Sequence, residues 1–323
     1  MAKITWMQLS DLHFGFENYT TEAAYAQFIR YLKNVIAKRE YKFDFLFLTG
    51  DFIFAPNSEY ANMQQAIKSV KEIQEIMTIG GDQTFVVPGN HDVNLMKRAE
   101  TAVVNKLYEN YRTTNGTIGE NFIKSAFNRL NNYSNFKKEI SSCTVIQVGS
   151  LIHEWVETDH INIILLNTAF AYTKEHSEKL IFGIYDFKKI INEIVKKNGK
   201  PVIILAHHPL KDALEEDKFT NEINNPQNNI ILYLCGHEHR FKIQKFIVGG
   251  KMWFNTPTFM NEDSRTREPC QIGFTIGEYD TDMKKGIIEA HTYDSAFDIW
   301  DLYRQYGGES NSEENRLRGI FEF

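Results

Sequence analysis

The chain has 323 residues, with 36 Lys and Arg against 42 Asp and Glu, so its net charge is −6 with histidines neutral. At 42% apolar and 24% charged residues it has an ordinary globular composition, which excludes disordered, collagenous and coiled-coil proteins. Its apolar runs, such as Pro201 to Ala206, fall far short of the ~20 residues a membrane-spanning helix needs.

Strand-like apolar runs recur along the chain with helical stretches between them, the alternation of a mixed α/β layered fold. The first run, Ile4 to Leu9, leads into a helical pattern over Tyr25 to Arg39, where Phe28, Leu32, Val35 and Ile36 share a face. Phe45 to Leu48 and Thr84 to Val87 follow as strands. From Leu95 to Ile140 the periodicity turns helical again (Val103, Leu107, Tyr111; Ile123, Phe127, Leu130), broken by a turn-rich stretch from Thr113 to Gly119, and this reads as a helical insertion. Thr144 to Val148 and Ile161 to Leu166 read as strands, Asp186 to Lys197 as an amphipathic helix, and Val202 to Leu205, Ile230 to Leu234 and Lys242 to Val248 as strands. Gly273 to Tyr293 has the pattern of a hairpin around an Asp-Thr-Asp turn. Gly307 to Arg318 is polar and reads as mobile, yet the chain finishes Gly-Ile-Phe-Glu-Phe, apolar enough to dock on this chain or on a partner.

Three scattered cysteines, Cys143, Cys235 and Cys270, supply neither a disulfide framework nor a Cys-x-x-Cys metal site, and a reducing compartment suits them. The N-terminal stretch runs straight into Ser10, Asp11 and His13 without the apolar region and cleavage site of a secretory signal, so the expected location is cytoplasmic.

The chemistry sits in five polar clusters that directly follow apolar runs: Asp11-Leu-His13, Gly50-Asp51, Gly89-Asn90-His91-Asp92, His207-His208 and Gly236-His237-Glu-His239. In α/β sheets ligands bind outside the carboxyl ends of strands, so five repeats of strand then polar cluster point to convergence on one rim. The set offers carboxylate, imidazole and amide oxygen without thiolate, the donors of Mn, Fe or Zn. Asp11 with His13, and His237 with His239, are spaced i, i+2. On an extended backbone each pair projects to one side and can reach metals ~3.5–4 Å apart. Singly, each cluster has a plainer reading: a helix cap for Asp11, a turn for Gly50-Asp51, a strand end stopped by proline for His207-His208-Pro209, and a polar turn for the last. Their joint occurrence argues for a dinuclear site.

Ser-Asp-Leu-His, Thr-Gly-Asp, Pro-Gly-Asn-His-Asp, His-His-Pro and Cys-Gly-His-Glu-His, in this order, resemble the calcineurin-like metallophosphoesterases, a resemblance running from about Ile4 to Tyr293. It implies two packed β-sheets flanked by helices, an αββα sandwich, filling residues 1–295 with the insertion at about 95–140, and leaves 296–323 as a C-terminal appendage. It implies two divalent ions, Mn foremost with Fe or Zn as alternatives. One would be held by Asp11, His13, Asp51 and His239, the other by Asp51, Asn90, His207 and His237, with Asp51 bridging. A hydroxide between the ions would attack phosphorus, His91 would protonate the leaving oxygen, and Asp92 would orient the His91 ring. His208 is left as a possible outer-sphere donor. Many members carry a further acidic residue three positions after the Gly-Asp aspartate, and here Phe54 stands there. Asn167-Thr168 falls where members place Asp or Asn with Ser or Thr, outer-sphere at best.

His153, His160, His176 and His291 fit no ligand spacing and read as surface or structural residues. The insertion carries eight basic and four acidic residues, so it is +4 while the rest is −10. That asymmetry could steer a polyanion, though a solvated helical face is the simpler reading. The expected activity is phosphodiester hydrolysis, first of nucleic acid by a nuclease with a protein partner such as an ATPase. The alternatives are a cyclic-nucleotide or other small-molecule phosphodiesterase, and a metal-binding scaffold without turnover.

Overall fold

The computed structural model describes residues 3–15, 19–39, 42–53, 60–111, 117–148, 152–245, 252–259, 270–297, 299–302 and 318–322. Phe54, residues 113–116 of the expected turn, 246–248 of the expected strand and 307–317 of the polar tail lie outside them.

Two sheets form the centre. The first contains β1 (Lys3–Leu9), β2 (Phe45–Leu48), β3 (Thr84–Val86), β10 (Gly273–Asp280), β11 (Lys285–Asp294) and β12 (Ile299–Leu302) in the order β12-β11-β10-β1-β2-β3. The second contains β4 (Glu154–Glu157), β5 (Asn162–Leu165), β6 (Val202–Leu205), β7 (Ile230–Cys235), β8 (Lys242–Lys245) and β9 (Met252–Asn255) in the order β4-β5-β6-β7-β9-β8. The strands that lead into the polar clusters run parallel within each sheet, β1 beside β2 beside β3 and β6 beside β7. Their carboxyl ends therefore open on one edge of the sandwich.

The period of two along each strand builds the layers. In β1, Ile4 and Trp6 face the second sheet while Met7 and Leu9 face the helices; in β2, Phe47 faces inward and Leu46 and Leu48 outward. Between the sheets, Trp6, Phe47 and Phe85 meet Ile163, Leu205, Leu234 and Phe254. On the first sheet's outer face lie α1 (Tyr19–Arg39), with Phe28 and Leu32, and α2 (Tyr60–Met77), with Val70 and Ile73. On the second sheet's outer face lie α6 (Ile184–Lys197), α7 (Glu216–Asn224) and the first part of the insertion. The insertion comprises α3 (Arg98–Tyr111), α4 (Glu120–Arg129) and α5 (Asn131–Ile140).

Thr144 to Val148 does not form the expected strand. Its side chains are exposed or half-buried, and only Ile146 bridges to Trp155 on the edge strand β4. The Gly273 to Tyr293 hairpin is β10 and β11, paired over eight residues. β13 (Arg318–Glu322) lies antiparallel against the first half of β11 and β12 against its second half. The backbone of the terminal apolar segment thus extends this chain's own sheet. Among the described residues no helix is long and apolar enough to cross a membrane.

Candidate metal centre

Asp11, His13, Asp51, His237 and His239 all have positive φ, at 53°, 46°, 55°, 73° and 54°. The expectation of an extended backbone at the two i, i+2 pairs is therefore wrong, although each pair does converge. Alternate left-handed residues curl the loop so that both side chains of a pair turn inward, a conformation costing about 1–2 kcal/mol per non-glycine residue. The loops are held against that strain. Asp11 N–H donates to Gly50 O at 2.9 Å, His13 N–H to Asp51 O at 3.0 Å and Phe14 N–H to Phe52 O at 2.9 Å, continuing the β1–β2 ladder past the strand ends.

Two glycines make the approach possible. Gly50 has φ +96°, and a methyl there would stand 2.6 Å from Gly89 N and 2.7 Å from His207 Nδ1. At Gly236 a methyl would overlap Ser10 Oγ and Asp11 Oδ2. Removing a side chain at Gly236 lets the loop after β7 press on the loop after β1, where His237 N–H donates to Asp11 Oδ2 at 3.0 Å.

Two buried carboxylates organise the imidazoles. Asp11 Oδ1 lies 3.3 Å from His239 Nε2 and 3.7 Å from His13 Nε2. Asp51 Oδ2 lies 3.2 Å from His207 Nε2 and 3.9 Å from His13 Nε2, while Oδ1 accepts the His91 backbone N–H at 2.7 Å. His207 Nδ1 donates to the carbonyl of Thr49 at 2.8 Å, which turns Nε2 toward Asp51 and toward Asn90 Oδ1 at 3.0 Å. His237 joins through its ring, 5.1 Å from that of His207. Ligand-type atoms of Asp11, His13 and His239 fall within 4.8 Å of one another, as do those of Asp11, Asp51 and His207. All seven expected ligand positions thus gather at one place, with Asp51 between the His13 and His207 sides.

The protonation pattern follows from the two buried carboxylates. Burial alone would raise Asp51, but His207, His91 and His13 hold it well below the usual carboxylate range. Burial would lower His207 and His239, yet Asp51 and Asp11 lift them to about 9 and about 10. The site draws protons onto nitrogens that face carboxylates, which is the demand of a negative cavity for cations. His237, half-buried, is pushed down to about 3 by desolvation and by charged His207, and stays a neutral donor. The donor set fits divalent ions.

His91 is half-buried, its ring 4.9 Å from that of His13, and burial pushes its pKa down to about 4. Asp92 is not placed as expected. Its oxygens accept the backbone N–H groups of Asp51 (2.9 Å), Gly89 (2.8 Å) and Phe52 (3.2 Å), so it clamps two loops rather than orienting the His91 ring. Two neighbours carry no motif signal: Cys270 Sγ lies 3.6 Å from His239 Nδ1, and Gln8 Nε2 reaches Cys235 O at 3.1 Å, linking the sheets beneath the site. Thr168 Oγ1 lies 2.9 Å from His208 Nδ1. Of the other histidines, His160 is exposed, His153 is buried, His176 stacks on Tyr108 at 3.7 Å and His291 meets the Tyr31 hydroxyl at 2.9 Å.

The five clusters stand in one cradle at the carboxyl ends of parallel strands from two sheets, and the profile of the calcineurin-like phosphoesterases matches residues 4–241. The chain belongs to that family. Its phosphoesterases are dinuclear metal proteins, and the cradle here supplies the ligand types for two ions. The chain is 22% identical over 346 aligned positions to the uncharacterized metallophosphoesterase-like protein YydB of Bacillus subtilis, covering 99% of this chain and 67% of that protein. In fold it is similar to a dimetal phosphatase of Danio rerio, with a TM-score of 0.50 and 11% identity, covering 89% of this chain and 95% of the other. It is also similar to GAP50, the anchor in the inner membrane complex of Plasmodium, with a TM-score of 0.49 and 13% identity over 91% of this chain and 85% of the other.

Proposed function

We propose that this calcineurin-like phosphoesterase is a dinuclear phosphodiesterase, and the observation that carries the reading is Asp51 Oδ2 facing His207 Nε2 at 3.2 Å and His13 Nε2 at 3.9 Å. One carboxylate oxygen that addresses both halves of the cradle suits two ions sharing a ligand. Asp11, His13, Asp51 and His239 would hold one ion, and Asp51, Asn90, His207 and His237 the other. When bound, such ions supply charge neutralisation for a phosphoryl group and an activated water. The chain's own contribution lies in His91. It stands beside His13 as a neutral imidazole, and an arriving phosphate adds negative charge that raises its pKa, the direction a general acid for the leaving alkoxide needs. A proton donor of this kind serves any alkyl ester of phosphate, whose leaving alkoxide is poor.

For the substrate, the fate of the insertion's basic residues favours a low-molecular-weight phosphodiester such as a cyclic nucleotide. Arg129 is fully buried, donating to the carbonyls of Tyr172 (2.8 Å) and Phe170 (2.6 Å). Lys137 is paired with Glu154, and Lys97 donates to Asn128 O at 2.6 Å. The four described basic residues that remain exposed stand among three exposed glutamates, Glu109, Glu120 and Glu139. Nucleic acid is the second reading, supported by the exposed Arg98, Lys106, Lys124 and Lys138 on the segment that follows His91. A protein partner such as an ATPase belongs with that reading.

The deciding experiment assays cyclic nucleotides, small diesters and single- and double-stranded nucleic acids with Mn, Zn and Mg at several salt concentrations. A small diester should turn over with shallow salt dependence. Nucleic-acid cleavage that falls steeply with salt, as counterion release requires, would favour the second reading. No turnover of any substrate by protein carrying two ions would defeat both.

A further inference from the structure

Resting on the dinuclear reading above, we propose that His208 is a third imidazole ligand of the second ion, beside His207 and His237, and that Thr168 sets the tautomer that allows it. The three rings form a closed triangle, with centroids 4.7 Å apart for His207 and His208, 4.6 Å for His208 and His237, and 5.1 Å for His207 and His237. Each of the three offers a ring nitrogen within 4.8 Å of the others. His208 is fully buried, and among the described residues its Nε2 has no hydrogen-bond partner.

Burial decides between the two uses of such a nitrogen. A contact to substrate needs an atom that opens on the cleft, and His208 Nε2 does not. An ion seated among the three rings would reach it. The ring is fixed from behind by Tyr172, stacked at 6.4 Å and 19°, and by Phe182 at 6.3 Å.

Thr168 completes the case. Its hydroxyl oxygen accepts the His208 backbone N–H at 3.2 Å and lies 2.9 Å from Nδ1. A hydroxyl oxygen has two lone pairs, so it can accept Nδ1–H as well, which leaves Nε2 with a lone pair and no proton. The opposite tautomer would aim a buried N–H at the cation site. An outer partner that fixes the tautomer of a ligating histidine is the usual second support of a metal site. The two ions would then differ in chemistry. The first is offered Asp11, His13, His239 and Asp51; the second is offered three imidazoles with Asp51 and Asn90, a set that prefers Zn, Co or Ni to Mn.

The test is ¹⁵N-histidine NMR of the full chain, stripped by chelator and then titrated with zinc, with calorimetry for stoichiometry and affinity. Two zinc ions should bind, and the ring-nitrogen spectrum should show a metal-bound His208 Nε2 that vanishes in His208→Gln. Thr168→Val, which keeps the ring, should weaken the second zinc by about 10- to 100-fold and leave the first unchanged. Two bound zinc ions with His208 Nε2 unshifted would overturn the His208 assignment and leave the dinuclear reading standing. Equal second-site affinity in Thr168→Val would overturn the tautomer argument. Fewer than two zinc ions in the wild type would overturn the dinuclear reading and this proposal together.

Discussion

The Asp92 carboxylate accepts the backbone N–H of Asp51 at 2.9 Å, and with the N–H groups of Gly89 and Phe52 on the same carboxylate it binds the loop after β3 to the loop after β2. Asp51 is left-handed at φ 55°, so the residue at the centre of the cradle is held in a strained conformation by a neighbour outside the ligand set. Asp92→Ala would leave three amides without an acceptor, and it should cost about 3 kcal/mol of stability in urea unfolding. Asp92→Asn offers one acceptor oxygen and a clashing amide, so it should recover only part of that. A loss below about 1 kcal/mol in Asp92→Ala would show that the clamp contributes little.

Asp51 carries the negative charge that faces both His13 and His207. Asp51→Asn should bind at most one divalent ion by metal analysis and lose at least ~10³-fold in turnover, since charge stabilisation of this kind is the largest catalytic factor in such sites. Chelation of the wild type should lower its Tm, because ligands that bind only the folded state stabilise it by mass action, about 2.7 kcal/mol at a hundredfold excess over Kd. Asp51→Asn should show a much smaller drop on chelation. An equal drop in both proteins would mean that the ions sit elsewhere.

The site was more legible than the fold that supports it. The convergence of Asp11, His13, Asp51, Asn90, His207, His237 and His239 could be read because their clusters each follow an apolar run. The layers were legible wherever periodicity was strong, as in β1, β2 and α6. Elements with thin patterns were harder to see: α7 buries only Phe219 and Ile223, and β4 has Trp155 and Val156 between two glutamates. α2 was readable in principle, since Ala66, Val70, Ile73 and Met77 keep helical spacing. Asp92 and Thr168 were marked by their motifs, but what they bind depends, like the place of Cys270, on contacts across many residues of chain, which no local pattern records. The left-handed backbone of the ligand loops was likewise hidden: aspartate and histidine are enriched in that conformation, yet far more of them lie outside it, so neither residue announces it on its own.

Arg129 shows how a charge count misleads. In sequence it adds to the basic insertion; in the fold it is fully buried, its guanidinium donating to Phe170 O and Tyr172 O. Those carbonyls belong to the loop that begins with Asn167 and Thr168, so Arg129 joins the insertion to the segment behind His208. Arg129→Met should leave two buried carbonyls unsatisfied and cost about 3 kcal/mol or more. Arg129→Lys should rescue little, because one ammonium does not reproduce the fork that spans two oxygens. Thermal unfolding of both variants checks this, and a lysine variant as stable as the wild type would refute it.

His153 sets a pH limit on the fold that is independent of the ligand cluster. It is 1% exposed, its Nδ1 accepts the Asn167 backbone N–H at 3.2 Å, and burial pushes its pKa down to about 4. Between pH 6.5 and 4 the unfolded chain binds a proton at this residue that the folded chain refuses, so its contribution to stability is complete above pH 6.5 and disappears as pH falls to about 4. The difference amounts to about 3 kcal/mol. His153→Gln keeps a hydrogen-bond acceptor but cannot titrate. Urea unfolding at pH 7.5 and pH 4.5 should therefore show the wild type losing more stability than the variant over that range. Parallel losses in the two proteins would mean that His153 stays accessible to protons in the folded state.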